Sequence, residues 1–252
     1  MDDTSVMVFN DKGTSPVVLV CEHASNHIPA RYGGLGLSEE AAVSHAAWDP
    51  GAFGLARKLS ELLDAPLVAS TVSRLVYDCN RPPSSEAAIR EVSEIYEVPG
   101  NRNLTPEARQ ERVDTVYRPF ETALSALMDQ RVSGVLVTLH SFTSTFHGKP
   151  RAVQLGILHD RDTRLADKML DCAGQHTALD TRRNAPYGPE DGVTHTLKHH
   201  AIPKDWPNVM LEYRNDLIGN QLQQHMIASA TAVIIKDALA ALVNTNETET
   251  GQ

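Results

Sequence analysis

The sequence predicts an α/β domain with a mainly parallel central sheet. Short apolar runs rich in β-branched residues alternate with longer segments of helical periodicity, which is the order typical of such domains. One run, at residues 135–139, reads Val-Leu-Val-Thr-Leu and is apolar at nearly every position. A strand covered by helices on both faces has this pattern. The length of 252 residues suits one large domain, with two small domains as the alternative.

Five segments are predicted as strands and five as helices. The first helix begins after Ser38, a capping serine followed by two glutamates, and the third begins with proline at its first position, after Thr105. The polar segment 245–252 is predicted as a tail outside a single domain, 1–244. The predicted strands are 16–21, 67–71, 135–139, 152–158 and 209–213. The predicted helices are 38–47, 51–63, 105–130, 161–174 and 220–242.

The composition excludes several classes of protein. The net charge is −9, from 32 acidic and 23 basic residues, and there is no basic stripe of the kind that nucleic-acid binding requires. The three cysteines form no CxxC pair, so a disulfide framework or an all-cysteine zinc site is not expected. The N-terminus lacks the features of a secretory signal, and no apolar run is expected to reach transmembrane length. We therefore expect a soluble cytoplasmic protein, with no nucleic-acid or membrane partner and an oligomeric state left open.

Ionisable side chains gather at the ends of the predicted strands. The relevant residues are Glu22 and His23 after the first strand, Arg74 and Arg81 after the second, His140 after the third, and Glu212 and Arg214 at the fifth. In an open α/β sheet, ligands bind just beyond the carboxyl ends of the strands. The repetition at four strands predicts a functional site at this edge of the sheet.

Two histidines are candidate metal ligands. Catalytic zinc commonly takes three nitrogen or oxygen ligands from the protein. His23 and His140 each end an apolar strand and are placed to supply two, and the third is Asp49, Glu22 or His27. In the alternative interpretation, each histidine simply hydrogen-bonds a loop. Asp49 also precedes the second predicted helix, where an aspartate is a common cap.

The arginines have two interpretations as well. An arginine side chain binds a carboxylate with two parallel hydrogen bonds, so Arg74 and Arg81 are candidates for holding an anionic substrate. The alternative is an ion pair between Arg81 and Asp78 that stabilises a turn. Glu212 and Arg214 share a face of the last predicted strand. In one interpretation Glu212 is a general base with Arg214 beside it, and in the other the two residues form an ion pair.

Taken in order, several motifs resemble the N-formylglutamate amidohydrolase family over residues 16–218. They are "CEHASNHIP", "AAWDPGA", "VSRLVYDCNRPP", "YRPFETAL", "VTLHSFTS", "NAPYGPEDGVTHTL" and "LEYRNDLI". Each motif is weak alone, and the ordered set is fairly specific. The chain looks like a divergent branch, because Glu-His-Ala-Ser at 22–25 stands where the better-known deformylase branch has Pro-His-Ser-Gly. The resemblance implies a three-layer αβα sandwich with a mixed, mainly parallel sheet, similar to zinc carboxypeptidases and phosphorylase/hydrolase-like in architecture.

The resemblance also implies an activity and a set of site residues. It implies a metal-dependent hydrolase that cleaves N-formyl-L-glutamate to formate and L-glutamate, with zinc as the metal or another divalent ion in its place. The implied metal ligands are His23, Asp49 and His140, the implied catalytic residues are Glu212 and Arg214, and the implied substrate-binding residues are Arg74, Asn80, Arg81 and Ser141. Two alternatives remain: an amidase or peptidase acting on another carboxylate-bearing acyl amino acid or peptide, and a non-catalytic carboxylate-binding protein. The roles of His195, His199 and His200 stay open.

Overall fold

The computed structural model describes the backbone of residues 4–250 and the side chains of residues 4–244. The strands are β1 Val6–Phe9, β2 Val17–Cys21, β3 Leu67–Ser70, β4 Val92–Ser93, β5 Tyr96–Glu97, β6 Val135–Phe142, β7 Thr145–Phe146, β8 Lys149–Pro150, β9 Leu155–Leu158, β10 Thr181–Arg183 and β11 Asn208–Arg214. The α-helices are α1 Glu39–Val43, α2 Ala52–Leu63, α3 Pro106–Arg112, α4 Arg118–Asp129, α5 Arg164–His176 and α6 Gln221–Thr250.

The central sheet has seven strands in the order β1-β3-β2-β6-β11-β9-β10. Strands β3, β2, β6 and β11 are parallel neighbours, whereas β1 and β9 pair antiparallel with β3 and β11. Strand β10 is parallel to β9. The predicted mixed, mainly parallel sheet is therefore confirmed. Because β2, β3, β6 and β11 run in one direction, their carboxyl ends lie along the same edge.

Helices cover both faces of the sheet, which gives the predicted three layers. Along β2 the buried side chains alternate between the two faces. Leu19 packs into a core with Leu55 of α2 and Ile235 of α6, and Val20 packs into a second core with Phe120 of α4. All five side chains are fully or almost fully buried. Burying one such side chain contributes roughly 1.5–3 kcal/mol, so the two cores fix the sheet from both sides.

The predicted element boundaries differ from the observed ones in several places. The helix predicted at 105–130 is divided into α3 and α4 by a π-helical turn, Val113–Tyr117. The first helix ends at Val43 because Ser44 has an extended backbone conformation. The strand predicted from 152 begins only at Leu155. Strand β1, strand β10 and the two-residue hairpin strands were not predicted, because such short or half-exposed segments carry little periodicity.

Helix α6 corrects the expectation that no apolar segment reaches membrane length. The stretch Gln221–Asn244 is long and apolar enough to cross a membrane by length and composition. One face of it packs against α2 and α5, and Ala228, Ile234 and Ile235 are buried there. Helix α6 is therefore packed with α2 and α5 in the helical layer on one side of the sheet. The tail predicted at 245–252 falls on residues whose side chains lie outside the described part of the chain.

Three histidines whose roles the sequence left open pack against α4 and the turn that precedes it. The contacts are His195 Nε2 to Tyr117 Oη at 2.9 Å, His199 Nε2 to Glu121 Oε1 at 2.7 Å and His200 Nδ1 to Ser125 Oγ at 3.3 Å. The partners are spaced four residues apart, so they lie one above another on one helix face. These contacts join the turn Leu197–Ala201 to α4.

We expect His200 to make the fold less stable in mild acid. Burial, aided by the neighbouring His199 and His195, lowers the pKa of His200 to about 3. Glu22 opposes this shift and Lys204 adds to it. The unfolded chain, with a histidine pKa near 6.5, binds more protons than the fold between these values, so stability falls as the pH drops below about 6.5.

The measurement is urea unfolding of the parent and His200→Gln at pH 7.5 and pH 5.0. The parent should lose about 2 kcal/mol more than the variant over this interval. The same substitution at the exposed His27 is the control, because it removes a histidine without touching the buried group. Identical pH dependence in the parent and His200→Gln would contradict the prediction.

Candidate active site

The candidate site lies where the carboxyl ends of β2, β3, β6 and β11 meet. Strand β2 ends at Cys21, and His23 follows two residues later. His140 lies in β6, and its register partner in the neighbouring strand β11 is Glu212. Beyond β3 the chain turns through Arg74 and Asp78, and both side chains line the same cavity. The predicted gathering of ionisable residues at this edge is therefore what the tertiary structure shows.

A candidate metal centre is formed by His23, Asp49 and His140, each at most 3% exposed. Asp49 Oδ2 is 3.2 Å from His23 Nδ1 and 2.9 Å from His140 Nδ1, and the two Nδ1 atoms are 3.1 Å apart. Of the three residues considered for the third ligand, the fold thus brings Asp49 to the histidines. Glu22 lies on the Nε2 side of His140, and His27 is exposed.

Asp49 is oriented by contacts other than helix capping. Its Oδ1 accepts a hydrogen bond from Arg74 Nη1 at 3.2 Å, and its Oδ2 accepts one from the Ser141 backbone N–H at 3.3 Å. The cap of α2 is Gly51, and no side chain caps this helix end, so the capping interpretation of Asp49 is wrong. Gly51 has φ +84°, and a Cβ there would collide with the carbonyl oxygen of Ile218. Glycine at this position therefore permits the tight turn that follows Asp49.

A carboxylate lies behind each candidate ligand histidine. His23 Nε2 is 2.7 Å from Asp78 Oδ1, and His140 Nε2 is 3.1 Å from Glu22 Oε2. A histidine facing a carboxylate through Nε2 keeps its proton on that nitrogen, which leaves a lone pair on Nδ1. The atoms that converge are then two imidazole nitrogens, each with a lone pair, and one carboxylate oxygen of Asp49. Such a set is stabilised by a shared proton or by a cation, so these residues fit a divalent metal such as zinc.

The electrostatics of the triad, defined as His23, Asp49 and His140, also favour a bound cation. Burial alone would lower the pKa of His140, but Glu22 and Asp49 hold it well above its usual value. Burial alone would raise the pKa of Asp49, but His23, His140 and Arg74 lower it below its usual value. The surroundings therefore favour negative carboxylates around a bound positive charge, which is the requirement of a cation site.

Glu212 stands beside the triad with a free oxygen. It is 5% exposed, and its Oε2 has no hydrogen-bond partner among the described residues. Burial, reinforced by Asp49 and opposed by His140 and His23, raises the pKa of Glu212 to about 7. A carboxylate with a pKa near neutrality is suited to taking and giving back a proton. Arg214 pairs with Asp216 at 2.8 Å, so the predicted alternative of a Glu212–Arg214 ion pair is not what the fold forms.

The triad and Glu212 line a cavity of about 280 Å³, a size suited to a small metabolite. The predicted site residues that line it are His23, Asp49, Arg74, Asn80, Arg81, His140, Ser141 and Glu212. Arg214 is not part of this lining. It lies at the end of β11, where its side chain bonds to Asp216 and to the carbonyl oxygen of Arg151. The predicted catalytic role of Arg214 therefore has no support in its placement.

Several polar residues of the cavity lining are already hydrogen-bonded to other groups of the protein. Arg74 bridges Asp49 and Asp78, with both contacts at 3.2 Å, and Ser141 Oγ donates to the carbonyl oxygen of Pro50 at 2.8 Å. Asn80 Oδ1 accepts from the Thr196 backbone N–H at 3.0 Å. These contacts shape the wall of the cavity.

Two guanidinium groups of the lining have no carboxylate partner within 4 Å in the described part of the chain. Arg81 is 6% exposed and donates only to the carbonyl oxygen of Asn80, at 2.8 Å. Arg90 is exposed, and burial of part of its side chain together with the positive charge of Arg81 lowers its pKa. Two guanidinium groups that line one cavity give it a local excess of positive charge inside an acidic protein, which favours an anion there.

The family model of N-formylglutamate amidohydrolase matches residues 15–219. The chain belongs to this family. The amidohydrolase is 50% identical to a gene product of Agrobacterium tumefaciens of known structure, with a TM-score of 0.92 over 95% of this chain and 96% of that one. It shares the fold of an N-formylglutamate amidohydrolase from Ralstonia eutropha JMP134, at 17% identity and a TM-score of 0.71 over 94% and 99% of the two chains.

A weaker structural match is a carboxypeptidase A-type protein from Shewanella denitrificans OS-217, at 10% identity, a TM-score of 0.44 and 94% and 61% coverage of the two chains. No curated protein sequence matches the chain at a significant level. Family membership establishes the amidohydrolase as a hydrolase of the N-formylglutamate amidohydrolase type. The α/β architecture predicted from the resemblance is likewise what the fold shows.

Sequence reasoning missed several residues of the amidohydrolase site. Asp78 was considered only as a turn partner of Arg81, yet it contacts His23 and Arg74. The spacing of four residues between Arg74 and Asp78 was the available signal, since it allows both side chains to meet in a compact turn. Tyr187 and Arg90 also line the cavity. Tyr187 lies in the motif "NAPYGPEDGVTHTL" but was assigned no role in the site, and Arg90 follows no predicted strand.

Proposed function

We propose that this amidohydrolase is zinc-dependent and converts N-formyl-L-glutamate and water to formate and L-glutamate. The observation that carries the proposal is the triad of His23, Asp49 and His140 beside the buried Glu212, in a cavity with two guanidinium groups free of carboxylate partners. Family membership supplies the substrate class, and the cavity chemistry agrees with it. We further propose a small anionic substrate as the ligand, no nucleic-acid or membrane partner, and a cytoplasmic location.

The metal site would be held by His23, Asp49 and His140. Two nitrogen ligands and one oxygen ligand form a set typical of catalytic zinc, and another divalent ion is the alternative. A divalent ion bound there supplies Lewis-acid chemistry to a water molecule and to the amide carbonyl. The protein contributes the burial and the orientation of the ligands, because all three side chains are at most 3% exposed.

Glu212 moves the proton that the hydrolysis requires. It accepts a proton as the oxygen of the attacking water bonds to the formyl carbon, and it delivers that proton to the amine nitrogen as the C–N bond breaks. The water oxygen leaves in formate, and the amine leaves as L-glutamate. A carboxylate whose pKa is about 7 can serve in both directions near neutral pH.

Arg81 and Arg90 hold the substrate by its carboxylates. Arg81 is buried and has no carboxylate of the described protein within 4 Å, so it offers donors to an incoming anion. Arg74 contributes positive charge while it remains bonded to Asp49 and Asp78. Asn80 and Ser141 form the adjoining wall.

We expect Arg81→Gln to raise the KM for N-formylglutamate by about 10- to 100-fold, since a charge-assisted hydrogen bond contributes roughly 1.5–3 kcal/mol. The effect should be much smaller with N-formylglycinamide, which has no carboxylate. The matched control is Arg57→Gln, because Arg57 is exposed and packs over Phe9 outside the cavity. An equal rise in KM for both substrates would show that Arg81 does not bind the carboxylate.

The test of the proposed function is glutamate release from N-formyl-L-glutamate by protein loaded with zinc, beside protein dialysed against a chelator. We expect release from the loaded sample, loss of at least nine-tenths of the rate in the chelated sample, and recovery when zinc is returned. Full activity in chelator would contradict the metal dependence. Absence of release at every zinc concentration would exclude N-formylglutamate as the substrate.

A further inference from the structure

Glu22 is a buried carboxylate that faces His140. It is 1% exposed, and neither carboxylate oxygen has a hydrogen bond among the described residues. Its ion-pair partner is His140, whose Nε2 lies 3.1 Å from Oε2. Burying a carboxylate without partners is among the costliest arrangements in a protein. The charge of Glu22 is therefore compensated through His140.

The direction of this contact distinguishes Glu22 from a metal ligand. It approaches His140 at Nε2, whereas Asp49 and His23 approach the same ring at Nδ1, at 2.9 Å and 3.1 Å. The carboxylate thus faces the nitrogen that points away from the candidate metal centre. A carboxylate on this side of the ring stabilises a proton on Nε2, which leaves the Nδ1 lone pair for the metal and makes that nitrogen a stronger donor.

We propose that Glu22 is a positioning residue of the metal centre: it holds His140 in the tautomer and orientation that present Nδ1 to a divalent cation. The inference rests on the metal site of the proposed function and adds to it the residue that sets the affinity of that site. Asp78 lies on the Nε2 side of His23, at a hydrogen-bond distance of 2.7 Å. Each ligand histidine is then backed by its own carboxylate.

Glu22 gives a cleaner test than Asp78. Asp78 Oδ1 also accepts the Asn80 backbone N–H at 2.9 Å, and Asp78 Oδ2 accepts from Arg74 at 3.2 Å. Substituting Asp78 would therefore disturb the turn as well as the histidine. Glu22→Gln keeps the side-chain volume, removes the charge and replaces one acceptor oxygen by an amide donor. The new amide can donate to Nε2 and thereby favour the tautomer whose proton is on Nδ1, which cannot bind a metal.

The experiment measures the dissociation constant of zinc alone, without substrate, by competition with a chromophoric chelator. We expect Glu22→Gln to bind zinc about 10- to 100-fold more weakly than the parent. The thermal unfolding temperature of the metal-free protein is measured beside it, because the substitution also removes the buried charge that faces His140, and its effect on stability is thereby read apart from its effect on zinc affinity. A role confined to structure would lower this temperature and leave zinc affinity unchanged.

The matched control is Glu94→Gln. Glu94 also pairs with a histidine, His45 Nε2 at 2.6 Å, and both residues line the cavity without belonging to the triad. Its zinc affinity should stay within about twofold of the parent value, against the 10- to 100-fold loss at Glu22. Parent-like zinc affinity in Glu22→Gln would overturn the inference. Failure to hydrolyse N-formylglutamate would not, because zinc binding is read without any substrate.

Discussion

Replacing Glu212 by glutamine should lower kcat by about 10²- to 10⁴-fold, the range that a positioned acid–base group contributes. Glutamine has nearly the same volume and cannot accept or return the proton of the attacking water. Glu212 faces the cavity with an oxygen that has no hydrogen-bond partner among the described residues, so the substitution breaks no observed bond of that atom. We therefore expect the variant to keep the fold and the zinc affinity of the parent.

The measurement is steady-state glutamate release together with the zinc content of the purified variant. KM should change much less than kcat, because Glu212 acts on the reacting atoms and not on the substrate carboxylates. The control is Glu61→Gln, an exposed residue of α2 that pairs with Lys58 at 3.0 Å. Parent-like kcat in a zinc-loaded Glu212→Gln protein would remove Glu212 from the mechanism.

Replacing His140 by glutamine should reduce zinc affinity by on the order of 10²-fold or more. This loss should exceed the one expected from Glu22→Gln, because His140 is a proposed ligand and Glu22 only positions it. Hydrolysis should fall to background at zinc concentrations that saturate the parent. The reason is geometric: His140 supplies one of three buried atoms that lie within 2.9–3.2 Å of one another. A glutamine amide does not reproduce the position or the softness of the imidazole nitrogen.

Zinc stoichiometry by elemental analysis and activity across a zinc titration test this result. His45→Gln is the matched control, since His45 lines the same cavity but pairs with Glu94 outside the triad. It should keep zinc binding. If His140→Gln bound zinc as tightly as the parent, the ligand assignment would be incorrect, whatever the activity showed.

Much of the fold followed from local pattern. The run at 135–139, apolar at nearly every position, indicated a strand covered on both faces, and β6 packs between the two cores in that way. Serine before α1 and threonine before α3 act as the predicted caps, each accepting a backbone N–H of the first turn. The break between α3 and α4 was not predictable from periodicity, because a single π-helical turn leaves the apolar spacing almost unchanged.

The candidate site was predictable only in part. His23 was placed correctly just beyond β2, whereas β6 continues to Phe142, so His140 lies within that strand near its carboxyl end. Both histidines still meet, because parallel strands bring their carboxyl ends to one edge of the sheet. Arg214 was expected to face the site because it shares a strand face with Glu212, yet it lies outside the cavity lining and pairs with Asp216. Alternation along a strand gives the face to which the Cβ atom points. Contacts at the strand end decide where the charged group of a long side chain such as Arg214 lies.

The sequence by itself determined the layers, the sheet edge at which the ionisable side chains gather, and the two histidines there. The tertiary structure decided that Asp49, and not Glu22 or His27, joins them, and that Glu22 and Asp78 stand behind the histidine rings. Asp49 is separated from His140 by 91 residues, and the contact forms because the turn before α2 packs onto the end of β6. Periodicity describes neighbours along one element, whereas ligand convergence depends on how separate loops pack together.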